Sequence, residues 1–265
     1  MTDKQIALKQ GDSDFCDDLV RIALDIGEGL LENGAEVHRV ELAIEAVCKA
    51  YGAAHVEVFS ISSLIITAVR MPNDAYSSQS RRIHSSSNNL SALEQYNALS
   101  RRLAKETPVF EEADRLIRQI KDAKPYPFPL VLFGSLLAAG AFAVFFGGSW
   151  RDGIAAALIG LIITLIDNVN APQLNRMAKT LIISFVAGIL SYLSVRIGLG
   201  EHADMINIGT IMLLIPGLAL GNALRDLISG DTLTGTLKVV QSIIIAAMIA
   251  IGYTLAILLT GGIVL

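Results

Sequence analysis

Apolar residues recur in the opening stretch of the chain at steps of three and four. Phe15, Leu19, Ile22, Ile26 and Leu30 form one stripe, which predicts a helix over residues 14–33 ended by Asn33-Gly34. Val37, Val40, Ile44, Val47 and Tyr51 repeat the pattern, and Gly52 closes a second helix, so the two make an antiparallel pair about a short turn. The period then changes. Residues 55–61 and 64–70 are rich in β-branched side chains and read as two strands about the Ser62-Ser63 link, with a basic third strand over 79–84. Two further amphipathic helices follow over 89–105 and 109–122.

Past the alternating Pro125, Pro127 and Pro129, which forbid a continuous helix, the amphipathic pattern gives way to long apolar runs. Five are expected to be membrane spans: 130–146, 153–166, 181–199, 206–220 and 239–258. The second and fourth are shorter than the roughly 20 residues of an ideal span, so they must recruit flanking residues or be irregular. The fourth holds Pro216-Gly217, where proline removes the N–H that would bond the Met212 carbonyl, and a kink is expected there.

Charge sharpens the division. Of the 265 residues, the first 124 carry 15 Lys/Arg and 19 Asp/Glu, whereas the last 141 carry 6 and 6. The expected fold class is an α-helical integral membrane protein with five transmembrane helices (125–265) and an N-terminal α+β cytoplasmic domain (1–124). Lys and Arg flank the spans at 115–124, 176–179 and 225–238, which puts the N-terminus in the cytoplasm and Leu265 outside the cell or inner membrane. The first residues hold no basic segment followed by an apolar run, so no cleavable signal peptide is expected. A net charge of −4 supplies no basic field for nucleic acid, and no nucleic-acid-binding motif is present. Cys16 and Cys48 show no metal or redox spacing and read as reduced core residues.

Catalytic motifs are missing: no HExxH, GxSxG, phosphate-binding loop or dinucleotide fingerprint occurs. His38, Glu41 and Glu45 lie within reach of one another on a helix, but they are too few for a metal or general-base set and fit a solvated face. Ser85 to Ser87 with Asn88 and Asn89 read as a loop and helix cap. No catalytic residue, metal or cofactor is expected. Polar groups in the apolar half are more informative, because they are costly in hydrocarbon. Asn168 and Asn170 cluster after the second span, Asn207 and Thr210 open the fourth, and Asn222, Arg225 and Asp226 close it. With Pro216 and Gly217 they mark an expected substrate pathway. Asn222 and Asp226 share a helical face beside Arg225 and could act as a polar gate, or as an interfacial ion pair that anchors the helix end.

Five passages resemble the threonine/serine exporter family, ThrE type, and within it the YjjP-like N-terminal half. They are GLLENGAEVHRVE (29–41), SISSLIITAVR (60–70), NALSRRLAKE (97–106), GGSWRDG (147–153) and MLLIPGLALGNALRDLISGDTLTG (212–235). The resemblance places the family's Pro-Gly, Asn and Asp pattern on Pro216, Gly217, Asn222 and Asp226, and its Asn-Gly-Ala-Glu turn on 33–36. It implies a secondary exporter of small polar metabolites, either threonine/serine-like amino acids or dicarboxylates such as succinate. It also implies a separate small YjjB-like membrane partner and a hetero-oligomer, for whose packing Gly134, Gly140, Gly160 and Gly188 offer close-approach faces. A membrane-tethered hydrolase or sensor acting through residues 14–124 is the alternative.

Overall fold

The computed structural model describes residues 13–84, 87–123, 126–169 and 175–260. The chain divides into two compact units, one of Met1–Lys124 with Leu218–Val239, the other of Pro125–Gly217 with Val240–Leu265.

In the first unit, α1 (Ser13–Glu32) and α2 (Val37–Ala50) bury the two apolar stripes read from the sequence. Gly34 at φ +94° lets the chain reverse after α1, with the Gly34 and Ala35 N–H groups donating to the carbonyls of Leu31 and Leu30. The strands β1 (His55–Ile61), β2 (Leu64–Arg70) and β3 (Tyr76–Arg82) form an antiparallel sheet in the order β1-β2-β3. The first two coincide with the expected strands. The third begins three residues earlier than expected and ends at Arg82 rather than at residue 84, because its register is fixed by the turn and not by its own polar sequence. Asp74 sits at φ 66°, Met71 and Ala75 bond across the turn, and Arg70 is thereby paired with Tyr76.

Two more helices close the core, α3 (Leu90–Glu106), capped by the Asn89 side chain on Ala92 N–H, and α4 (Phe110–Lys121). Leu19, Ile22, Ile26, Ile44, Ile65, Tyr96, Leu103 and Ile117 meet in one cluster. At Gly29 a Cβ atom would stand 2.2 Å from the Tyr96 ring, so α3 reaches α1 only because this position has no side chain. The Arg21 guanidinium grips both carboxylate oxygens of Asp114, at 2.8 and 3.0 Å, and pins α4 to α1.

The second unit is built from α5 (Phe128–Phe145), α6 (Trp150–Asp167), α7 (Arg176–Arg196), α8 (Ala203–Leu214) and the larger part of a long helix that starts near residue 232. Its core is made of small and β-branched residues, among them Ala139, Ala143, Ala156, Ile163, Ile183 and Ile249. Three of the four glycines expected to meet other chains are used within this unit. A Cβ at Gly140 would lie 2.9 Å from the Gly153 carbonyl oxygen, at Gly160 2.7 Å from Ala139, and at Gly188 2.6 Å from Ala256. Around Gly134 there is open space. Large apolar side chains, such as Phe133, Leu137, Leu158 and Ile251, point outward, as lipid-facing surfaces require.

The expected fourth span is interrupted. α8 ends at Leu214, and Ile215 is extended at ψ 126° because a residue before proline is driven out of the helical region. A new helix, α9 (Gly217–Ile228), follows, and α10 (Thr232–Leu259) begins seven residues before the expected fifth span. Among the described residues α5, α7 and α10 are long and apolar enough to cross a membrane, with a fourth crossing if the interrupted α8 and α9 count as one. α6 has 18 residues but carries Arg151, Asp152 and Asp167 at its ends.

Candidate functional site

Asn222 and Asp226, spaced to share one face of α9, and Arg225 beside them all land on the turn between α1 and α2. The Asn222 Nδ2 donates to the Gly34 carbonyl at 2.8 Å, and the Arg225 Nη1 donates to Glu36 Oε1 at 2.9 Å. Asp226 is 1% exposed. Its Oδ1 accepts the Val37 N–H at 3.0 Å, and its Oδ2 accepts from Lys238 Nζ at 2.7 Å. These contacts follow from what two helix ends lack. Glu36, at the N-cap of α2, makes no side-chain cap bond, so the first N–H of that helix is an orphan donor beside a positive dipole end. Asp226 supplies the missing acceptor and negative charge from far along the chain. Asn222 supplies a donor to a carbonyl at the C-terminal end of α1. Lys238, 12 residues beyond Asp226, offsets the buried charge.

The three groups read from the sequence as a polar gate or an anchoring ion pair are therefore brought together, and they face the 33–37 turn. Arg225, described as lying to the side of Asn222 and Asp226, engages the same turn. Pro216 is half-buried at the α8–α9 break, and Gly217 is exposed. Asn168 is exposed at the end of α6, and Asn170 falls outside the described residues. Thr210 is buried in the other unit, with its hydroxyl 2.8 Å from the Tyr253 hydroxyl, and the buried Asn207 Oδ1 has no hydrogen-bond partner. Glu41 caps the edge of β1 by accepting from Ser60 N–H at 2.7 Å, and Glu45 pairs with Lys49. His38, Glu41 and Glu45 instead line an open groove of about 510 Å³ with Phe59 and Ile66. Cys16 and Cys48 are buried and not bonded to each other. Burial pushes the Cys48 thiol up to about 12, which suppresses the reactive thiolate.

A second polar centre, which the sequence reading passed over, surrounds Asp152 in the GGSWRDG passage. The carboxylate is completely buried. Its Oδ2 accepts from Ser149 N–H at 2.8 Å, completing a capping box on α6, and its Oδ1 accepts from Glu201 and His202 N–H at 2.7 and 2.8 Å. The His202 Nδ1 lies 2.9 Å from Oδ2. One side chain thus ties the start of α6 to the connection between α7 and α8. The hydrogen bond to Asp152, with the charge of that carboxylate, raises the pKa of the exposed His202 above its ordinary value. Glu201 makes a third possible ligand beside Asp152 and His202, but the Asp152 oxygens are already occupied by four donors, so the arrangement is that of a clasp. The spacing Ser149-x-x-Asp152 before an apolar run was the available signal for the cap; nothing in the sequence announced its reach to residue 202.

The family model described as "Putative threonine/serine exporter" (ThrE) matches residues 21–260. The chain is 24% identical over 254 residues to the "Threonine/serine exporter" of Corynebacterium glutamicum, covering 91% of this chain and 51% of that protein. It is 22% identical over 238 residues to the "Probable threonine/serine exporter" of Mycobacterium tuberculosis (strain ATCC 25618 / H37Rv), covering 87% and 44%. The chain thus spans about half the length of the curated relatives it matches. No solved structure matches it.

Proposed function

We propose that this chain, which belongs to the threonine/serine exporter family, is one membrane subunit of a secondary exporter of threonine/serine-like amino acids or small dicarboxylates. Membership of a transporter family and apolar helices of spanning length make it a multi-pass membrane protein and not an enzyme, which displaces the tethered-hydrolase alternative. The family match over residues 21–260 is the observation that carries the export reading. In this reading five spans are formed by α5, α6, α7, the α8–α9 pair and α10. The N-terminal α+β domain is cytoplasmic and residue 265 is outside, in keeping with the Lys/Arg distribution. The relatives are about twice as long, and a YjjB-like second membrane half is the partner proposed for this chain.

The mouth of the pathway is formed by Asn222, Arg225 and Asp226. Bound to the 34–37 turn they hold the gate shut; released, they meet the charged groups of the solute. Pro216 and Gly217 interrupt the helix before α9, and Asn168, Asn170, Asn207 and Thr210 are the further polar residues assigned from the sequence to contact with the solute. Efflux from cells lacking the chromosomal copy tests this. Cells preloaded with labelled threonine or succinate should retain at least one of the two, and a plasmid copy of the full chain should restore its loss to the medium. Equal retention with and without the chain would refute the export reading.

A further inference from the structure

The edge of a β-sheet is an open hydrogen-bonding template, which proteins cover, charge or use. Among the described residues β1 is such an edge, since the strand order is β1-β2-β3. Two bonds show which of its backbone groups face outward. The Ser63 carbonyl accepts the Ile83 N–H, which turns the odd-numbered residues of β2 toward β3 and leaves Ile66 and Ala68 to bond their partners on β1, Phe59 and Glu57. Ser60 N–H accordingly points away from β2, where Glu41 accepts it at 2.7 Å. By the same alternation the N–H and C=O groups of Val56 and Val58 face the free edge. Glu41 covers the last donor of this edge and leaves the other two residues uncovered among the described residues.

The groove of about 510 Å³ beside β1 has the size of a ligand cleft. Its apolar lining includes Val56, Val58 and Ile66, and two of its large side chains are left open, Phe59 at 56% exposure and Leu42 at 50%. An apolar patch of this kind, rimmed by polar groups, marks a contact surface. The rim is acidic. Glu41, Glu45 and Glu57 line it with His38, and no Lys or Arg is among the described lining residues. Lys49 lies beyond the groove and pairs with Glu45, and His55 stands 3.1 Å from Glu57.

Charge decides the occupant. An anionic lipid surface is repelled by the three carboxylates. A second copy of the chain would bring its basic edge strand, β3, but Arg81 there is already held by Asp25 and Glu28. An extended segment in which Lys or Arg alternates with apolar residues meets each requirement. Its backbone continues the ladder on Val56 and Val58. One face sets cations against Glu57 with their aliphatic stems over Phe59, and the other lays apolar side chains against Leu42.

We infer that β1 accepts a fourth strand from a second membrane chain, an extended cytoplasmic segment in which Lys or Arg alternates with apolar residues. The source of the strand rests on the proposed topology, because cytoplasmic loops of membrane proteins carry an excess of Lys and Arg; the binding chemistry does not. His38, Glu41 and Glu45, which the export reading leaves without a part, become one wall of this site.

The full chain, purified in a non-ionic detergent, is titrated against a labelled nonapeptide of alternating lysine and valine, with binding followed by fluorescence anisotropy. Two control peptides separate the contributions: one carries glutamate in place of each lysine, and the other keeps the lysines but has an N-methylated backbone that cannot donate. The lysine peptide should bind about tenfold or more tightly than either control, and Glu57→Lys or Phe59→Ser in the chain should weaken it by about tenfold. Both side chains are exposed, and unchanged melting curves verify that the variants fold. Absent or equal binding of the three peptides would overturn the inference, as would unchanged binding by both variants. Self-association of the wild-type chain that Glu57→Lys abolishes would also overturn it, since the occupant would then be a second copy. None of these outcomes bears on export, which the efflux measurement decides separately.

Discussion

Replacing Asp226 with Ala is expected to destabilise the protein by about 3–5 kcal/mol, the usual cost of removing one partner from a buried ion pair. The carboxylate is 1% exposed and holds both Lys238 Nζ and the Val37 N–H. Its loss takes a bonded carboxylate from Lys238 and leaves the first N–H of α2 without this acceptor. Lys238→Ala is expected to cost nearly as much, since it strands the negative charge. The combination Asp226→Leu with Lys238→Met should recover a large part of the lost stability, because two apolar side chains of similar volume remove both charges together. Thermal melting in mild detergent would show this non-additivity. Export should remain low in the double variant, because the gate has lost its carboxylate; full export there would reduce Asp226 to a packing residue.

Asp152→Ala is the second large effect, about 3 kcal/mol or more. Three backbone N–H groups, those of Ser149, Glu201 and His202, lose their acceptor at once, and each unsatisfied buried donor costs about 1–3 kcal/mol before water enters. Hydrogen exchange should accelerate most at residues 200–203 and at the start of α6. A pH dependence accompanies the clasp. The His202 pKa is raised in the folded protein by its bond to Asp152, so protonation favours folding. The contribution is complete below the ordinary histidine value of about 6.5 and is lost as pH rises through the raised folded value. Wild type should therefore gain melting temperature between about pH 8.5 and pH 6 relative to His202→Gln. Parallel melting curves of the two proteins over that range would contradict the clasp.

The local structure of the N-terminal helices and the first two strands was written in their periodicity. Ile65 and Val69 are buried on β2 while Ile66 faces out, as alternation requires. β3 was misplaced because Tyr76 to Arg82 is a polar run with no period of its own, and its position is inherited from the turn at Asp74. Pro216 announced a break, and the break proved complete because Ile215 is forced into an extended conformation and α8 cannot continue. The contacts of Asp226 with Val37 and of Asn222 with Gly34 could not be read from spacing, since they join residues 189 and 188 positions apart. Both passages had nevertheless stood out, the Asn-Gly-Ala-Glu turn and the Asn222 to Asp226 segment, without any sign that each was the other's partner. Tyr253 was hidden for a different reason: within an apolar helix, one tyrosine looks like core until its hydroxyl is seen beside Thr210.

In the proposed mechanism the 222–226 segment is a moving gate, and its closed state is the one bonded to residues 34–37. Cysteines in place of Glu36 and Arg225, whose side chains touch at 2.9 Å, can be joined by a short bifunctional maleimide; Cys16 and Cys48 are buried and their thiols are held protonated. Threonine efflux from cells carrying this pair should match that of the uncrosslinked pair before treatment and fall at least tenfold after it, with each single-cysteine protein unaffected. Undiminished efflux from the fully crosslinked protein would show that export proceeds with the turn and the segment held together, and would contradict the gate.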